Sequence, residues 1–238
     1  MLKLLLLLKS EVLRLFHYKI IYFGLFVSLI WVFVLAFTSF QEAELLMPQL
    51  LALDAGLMTI VLIGSSYYFE KQEGTLQALF VSPVSPRKVL VAKILASLVP
   101  SLVSITLISL TMGLIHSYWI PLLLALAYII LATIAHISVG FILMFLSPDF
   151  MSLLVKYMGV ALLFYLPAIL IPLDLIPESF QWVGFLSPSY AAQYIIQSLL
   201  IDRDITMILL AMFFLVAIPG LIFPLYVYPR FKKEALRA

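Results

Sequence analysis

EKQEGTLQALFVSPVSPRK, residues Glu70–Lys88, is a compact polar stretch punctuated by glycine and proline and set between two long apolar runs. Gly74 breaks the helix that enters it, and Thr75–Phe80 has the length for about one and a half helical turns. On such a turn Leu76, Leu79 and Phe80 share a face while Lys71 and Gln72 stay in water. Residues before proline avoid helical angles, so SPVSP is read as extended backbone. Ser85 followed by Pro86 makes an N-cap and first-turn pair for the next helix. Two readings remain open from this pattern alone. It is either a well-capped solvent hairpin, or an amphipathic knob whose displacement would move both flanking helices.

The surroundings of this stretch set the class. Hydrophobic residues are 65% of the 238 and charged ones 11%, against roughly a quarter charged in soluble domains. Mean hydropathy is +1.19. The expected fold class is an all-α integral membrane protein, because isolated strands in lipid leave backbone groups unpaired. Charge-free runs of the length needed to cross hydrocarbon, about 20 residues, give six spans. They are Ile20–Gln41, Pro48–Phe69, two within Ile94–Pro148 joined by the turn His116–Pro121, Tyr157–Leu173 starting near Met151, and Ile205–Pro229. A further uncharged run, Ser179–Ile201, holds Gln181, Gln193, Gln197 and several serines and prolines, an expensive content for hydrocarbon. It is read as short external re-entrant helices within 174–204, broken at Leu186–Ser189.

Six spans place all but Arg203 of the 14 Lys and Arg residues on one side. By the positive-inside rule that side is cytoplasmic, and both termini with it. The chain is then one transmembrane domain, 1–238, with segment 1–19 before the first span, loop 70–88 between spans two and three, and tail 230–238. Segment 1–19 fails as a signal peptide, since Lys9 interrupts its apolar run. Lys3, Ser10, Arg14 and His17 instead fall near one stripe of a leucine-rich helix, which suits an amphipathic helix lying in the interface. Multi-pass insertion in the plasma membrane is the expected location, with membrane lipid as a partner and no nucleic acid.

Within the spans the candidate functional groups are few. Asp54 is an intramembrane acid, costly and functional by default; a helix-end acid within reach of water is the equal alternative. Asp54, Met58, Ser65, Pro188 and Tyr190 are the candidates for a translocation pathway or gate. His136 reads as a hydrogen-bonded structural histidine. Pro167 and Pro172 mark a kink or an early helix end. Tyr67, Tyr68, Tyr157 and Tyr165 suit interface belts, and Gly140 and Gly159 suit close helix packing. No cysteine is present, so disulfides and thiolate metal sites are excluded, and no metal site is expected. No glycine precedes a lysine, so no phosphate loop of the G-x-x-x-x-G-K type exists. An ion-coupled secondary transporter would need more buried charge than Asp54 supplies, and a channel subunit is the other alternative.

E-x-x-x-G-T-L-x-x-L followed by S-P-V-S-P and a basic residue resembles the cytoplasmic loop of ABC-2 type permeases, the membrane subunits of ATP-binding-cassette exporters. Here it runs through Glu70, Gly74, Thr75, Leu76, Leu79, Ser82–Pro86 and Arg87. The likeness extends over the chain: an interfacial first helix, six spans and short external helices. Leu186–Leu200, LSPSYAAQYIIQSLL, is similar to the family's external N-P-x-x-Y helix, with Ser187 where asparagine is commoner. The resemblance implies that Thr75–Phe80 is a coupling helix docking on a separate nucleotide-binding ATPase. Glu70, Glu73, Gly74, Thr75, Leu76, Gln77, Leu79, Phe80 and Arg87 would be the coupling residues. It also implies no cofactor in this chain, ATP and Mg in the partner subunit, no enzymatic activity here, and a second permease copy (a homodimer) or a related permease alongside.

Overall fold

The computed structural model describes residues 2–75, 84–171, 175–177 and 180–237. Leu76, Gln77, Leu79 and Phe80, the centre of the expected coupling helix, lie outside the described residues, as does Pro172. Among the described residues the regular structure is helical: α1 (Leu2–His17), α2 (Ile20–Phe37), α3 (Phe40–Gln72), α4 (Pro86–Ser97), α5 (Val99–His116) and α6 (Leu122–Leu146), then α7 (Phe150–Leu170), α8 (Gln181–Gly184), α9 (Pro188–Gln197), α10 (Ile205–Ile222), a π turn (Phe223–Val227) and α11 (Tyr228–Arg237). Among the described residues six helical stretches are long and apolar enough to cross a membrane: Ile20–Phe37, Phe40–Gln72, Pro86–His116, Leu122–Leu146, Phe150–Leu170 and Ile205–Glu234. The chain is a multi-pass, all-helical membrane protein.

Several boundaries differ from the charge-free runs, each for a local reason. The first span stops at Phe37 rather than Gln41. Ser39 caps α3, its hydroxyl accepting from the Glu42 amide at 3.4 Å while the Glu42 carboxylate accepts from the Ser39 amide at 2.8 Å. This reciprocal capping box starts a new helix, which continues through Pro48 instead of beginning there. Its 33 residues extend about 50 Å, beyond the hydrocarbon at both ends. The third span begins at Pro86, eight residues before Ile94, and is interrupted only at Leu98, two residues before Pro100. Ser85 supplies extended cap backbone but no side-chain capping bond. α7 passes through Pro167 and ends at Leu170, so that proline marks no early stop. The last span passes Pro224 by a π turn, a known way to absorb a missing helix hydrogen bond.

α3 and α6 form the centre, and they come close at Gly140. A Cβ there would stand 3.2 Å from Ile60 Cγ1 and 3.6 Å from its Cα. Gly159, by contrast, has nothing within 4 Å, so it makes no helix contact of the kind its sequence suggests. α9 packs into the bundle with Pro188, Ser189, Tyr190, Ala191, Tyr194 and Ile195 buried. Ser187 caps it by accepting from the Tyr190 amide at 3.2 Å, and its hydroxyl donates to the Phe164 carbonyl of α7. The break expected at Leu186–Ser189 is therefore present. His136 Nδ1 donates to the Ala132 carbonyl at 2.8 Å, leaving Nε2 of the uncharged ring to accept from Ser189 at 3.0 Å. His136 lies about 21 Å along α6 from Leu122 at the usual helical rise, so the N-terminus of α9 reaches well inside the span. The outward faces of α2, α7 and α10 expose large apolar side chains such as Phe26, Phe33, Val155, Leu162 and Phe213, a surface suited to lipid tails.

Candidate functional site

The roots of loop 70–88 converge on a buried charge cluster. Glu70, on the last turns of α3, is 0% exposed. Its two oxygens take Lys93 Nζ of α4 at 2.6 and 2.7 Å. Oε1 also receives Arg14 Nη1 of α1 at 3.0 Å and the Ser66 hydroxyl at 3.0 Å. Glu11 of α1, 2% exposed, completes the cluster, with Lys93 Nζ at 3.1 Å and Arg14 Nη2 at 3.2 Å. Two carboxylates and two cations balance. Burial nevertheless pushes the Glu11 carboxyl above its ordinary range, the nearby Lys93 working against that shift and the Glu70 carboxylate adding to it.

Helix geometry explains the arrangement. Leu7, Glu11 and Leu15 are the buried positions of α1, spaced four apart so that they share one face. α1 therefore docks its leucines and this acid on α4 and the end of α3. Leu2, Leu5, Leu6 and Leu13 are left exposed. The stripe of Lys3, Ser10, Arg14 and His17 does not act as a unit: Lys3 and His17 are exposed, whereas Arg14 turns inward to the two carboxylates. Glu11 is the functional group that pattern reading missed. The signal available was a lone acid in a leucine-rich helix four residues from Leu7 and Leu15.

Further contacts bind the loop's first residues. Glu73 is the C-cap of α3, and the Tyr18 hydroxyl donates to its carboxylate at 2.7 Å. Partial burial, then that bond to an anion, pushes the Tyr18 phenol up to about 12. Gly74 has φ 70°, a left-handed backbone that suits glycine. The Thr75 hydroxyl donates to the Glu70 carbonyl at 3.2 Å. At the other root, the Arg87 guanidinium lies 5.2 Å over the Tyr228 ring of α11. Tyr67 of α3 donates to Glu234 of α11 at 3.4 Å. Both terminal helices thus hold the helices that carry the loop.

Of the coupling candidates, Glu73, Gly74, Thr75 and Arg87 are exposed, and Glu70 is enclosed, so its contacts are all within the chain. The pathway candidates do not gather. Asp54 is 2% exposed and does not reach water as a helix-end acid would. It lies beside Ser104 and Trp31, and its Oδ1 has no hydrogen bond among the described residues. Met58 packs with Leu15, Ile20 and Leu62 at the α1–α2 side. The buried Ser65 hydroxyl donates to the Leu62 carbonyl at 3.2 Å. Pro188 opens α9, and Tyr190 lines a cavity at the end opposite the loop. Tyr67, Tyr68 and Tyr157 are buried in the bundle instead of forming a belt. Tyr68, for instance, donates to the Ser147 carbonyl at 2.8 Å.

Among the described residues, six helices of spanning length, a polar loop whose roots are clamped by ions and a short helix packed against α6 define an architecture that sequence comparison resolves. The family model described as ABC-2 type transporter matches residues 3–201. The chain belongs to the ABC-2 type transporter family. A direct comparison with curated proteins gives no match. The matched region runs from α1 through α9, so it contains the charge cluster, loop 70–88 and the outer helices. An ABC-2 membrane domain is a permease and is not itself catalytic. Among the described residues no group of three or more His, Cys, Asp or Glu could hold a metal ion.

Proposed function

We propose that this chain is the membrane-spanning permease subunit of an ABC exporter, driven by a separate nucleotide-binding subunit that docks on loop 70–88. The observation that carries the reading is the ABC-2 family match, which spans the loop and the Glu11, Arg14, Glu70 and Lys93 cluster at its roots. In this reading ATP and Mg are bound by the partner, both termini and the loop are cytoplasmic, and the chain sits in the plasma membrane. A second permease, identical or related, completes the pathway. α8 and α9 form the external re-entrant helices that gate release.

The charge cluster gives the coupling a physical basis. Pushing Glu73–Thr75 displaces the end of α3, and Glu70 on that end is ion-paired to α4 and α1. Separating buried ion pairs costs several kcal/mol, so α1, α3 and α4 move together. Loop displacement then becomes a tilt of the helices that line the bundle centre. Exposed Glu73 and Thr75, with Leu76, Gln77, Leu79 and Phe80, make the contact; Glu70 transmits it.

The experiment is reconstitution of the chain with its ATPase subunit. Glu73→Lys and Thr75→Pro should leave membrane insertion and expression intact while abolishing transport and substrate-stimulated hydrolysis. Wild-type transport in both variants, or vectorial transport by the chain without any nucleotide-hydrolysing companion, would overturn the reading.

A further inference from the structure

At the end opposite the loop, a cavity of about 540 Å³ opens between α3, the end of α7 and the outer helices α8 and α9. Its polar wall consists of Gln181, Tyr190, Gln193, Tyr194, Gln197 and Arg203. Arg203 is the one Lys or Arg that the sequence places on this side. Its guanidinium is held in place from two directions: Nη2 donates to Gln197 Oε1 at 2.6 Å, and the group lies 5.1 Å over the Tyr194 ring. Its Nε is buried without an acceptor, and Gln193 Oε1 in the same wall is buried without a donor, among the described residues. Among the described residues, no carboxylate is ion-paired to it. Asp204 caps α10 by accepting from the Thr206 amide at 2.8 Å, and Asp202 is exposed.

These groups specify a ligand chemistry. A preorganised guanidinium with an unpartnered N–H recognises an oxyanion. The unpaired Gln193 Oε1 calls for a donor, which a hydroxyl supplies. Gln181 is already committed, donating to the Tyr190 hydroxyl at 3.0 Å. The facing wall is apolar, with Leu45, Ala168, Ile171 and Ile176, suited to the start of a hydrocarbon chain. We propose that this cavity binds a hydroxyl-bearing oxyanionic headgroup, with Arg203 recognising the charge and Gln193 a hydroxyl beside it. The site deepens the permease reading, on which it rests for the direction of passage but not for binding. Leu45 and Gln49 of the cavity belong to α3, the same helix that carries Glu70.

The test uses the purified full chain in phosphatidylcholine nanodiscs, titrated with short-chain lipids and followed by calorimetry. Phosphatidylglycerol should bind at least tenfold more tightly than phosphatidylcholine, and several-fold more tightly than phosphatidylmethanol, which has the same charge but no hydroxyls. Arg203→Ala should remove the first preference, Arg203→Lys should weaken it, and Gln193→Leu should remove the second. Competition by free glycerol phosphate supports recognition by the headgroup alone; competition by the lipid alone supports a contribution from the apolar wall. Equal affinity for phosphatidylcholine and phosphatidylglycerol overturns the proposal, as does unchanged selectivity in a folded Arg203→Ala protein. If that variant does not fold, Arg203→Lys and Gln193→Leu decide in the same way. Thr75→Pro should retain this binding, so a failure of the coupling reading and a failure of this site give different results.

Discussion

Removing Lys93 is the sharpest perturbation of the charge cluster. In Lys93→Met the side-chain volume is nearly kept, but Glu70 and Glu11 lose the ammonium that lies 2.6 to 3.1 Å from their oxygens. Arg14 alone is left to balance two enclosed carboxylates. Breaking a buried ion pair by deleting one partner costs about 3–5 kcal/mol, and one carboxyl will take up a proton to limit that cost. The expected outcome is a chain that inserts but unfolds at lower temperature, and a reconstituted complex whose ATP hydrolysis no longer responds to substrate. The decisive comparison is the double variant Lys93→Met/Glu70→Gln. Removing both charges of the pair restores balance between Glu11 and Arg14, so the double variant should be more stable than Lys93→Met alone. A double-mutant cycle should return about 2–3 kcal/mol of interaction energy, the upper range for residues in one ion network. Effects that add within about 0.5 kcal/mol would refute the argument that these groups act as a unit.

The Glu11 carboxyl is held above its ordinary range when α1 is docked, so docking takes up a proton. The stability this contributes is complete below the ordinary carboxylate range and is lost as pH rises through the raised docked-state value; hydrogen-exchange protection factors in α1, corrected for the intrinsic pH dependence of exchange, should therefore rise on acidification, and Glu11→Gln should abolish that trend. Gly140→Leu forces side-chain atoms against Ile60 and should cost about 1–3 kcal/mol or more by overpacking. Gly159→Ala, with nothing within 4 Å, should be neutral or slightly stabilising in the same thermal-unfolding assay. Ser189→Ala leaves His136 Nε2 buried and unpaired and should cost about 1–3 kcal/mol, read as lower unfolding temperature together with faster exchange in α9.

What the sequence could reveal followed from solvation. Charge-free runs found six spans because uncompensated charge is excluded from hydrocarbon, and clustered glutamines and prolines separated α8 and α9 from a seventh. The same rule misplaced the start of the third span, since it treats Lys93 as a solvent-side residue. Lys93 is buried because Glu70, 23 residues earlier, and Glu11, 82 residues earlier, neutralise it. No local pattern encodes a pairing at those separations. Arg14 reads as surface charge on an amphipathic helix for the same reason, its Glu70 partner being 56 residues away. Tyr67 and Tyr68 were misread because their hydroxyl partners, Glu234 and the Ser147 carbonyl, are distant in sequence. The boundary at Ser39 is different. S-x-x-E at Ser39–Glu42 is a readable capping signal, and it was overlooked in favour of the charge count.

Among the described residues, α3 both lines the cavity and carries a member of the charge cluster, so a signal could pass between the two ends along it. α3 runs from the outer cavity, where Leu45 and Gln49 line the wall, to the charge cluster at Glu70. Sliding α3 along its axis against α1 and α4 would separate ions now 2.6 to 3.2 Å apart, at a cost of several kcal/mol. Tilting the three helices as a body keeps those distances and pivots on the close α3–α6 contact at Gly140 and Ile60. For a helix about 50 Å long, a tilt of about 5° moves one end by about 4 Å relative to the other, comparable to the width of a methylene chain. About the Ile60 pivot the same tilt moves Leu45, about 22 Å away along the helix, by about 2 Å, which would reshape the cavity beside Arg203 without breaking a single ion pair at the loop. On this argument the cluster is buried to make the loop's displacement rigid, and its substitution should uncouple hydrolysis from transport before it impairs either headgroup binding or docking of the partner.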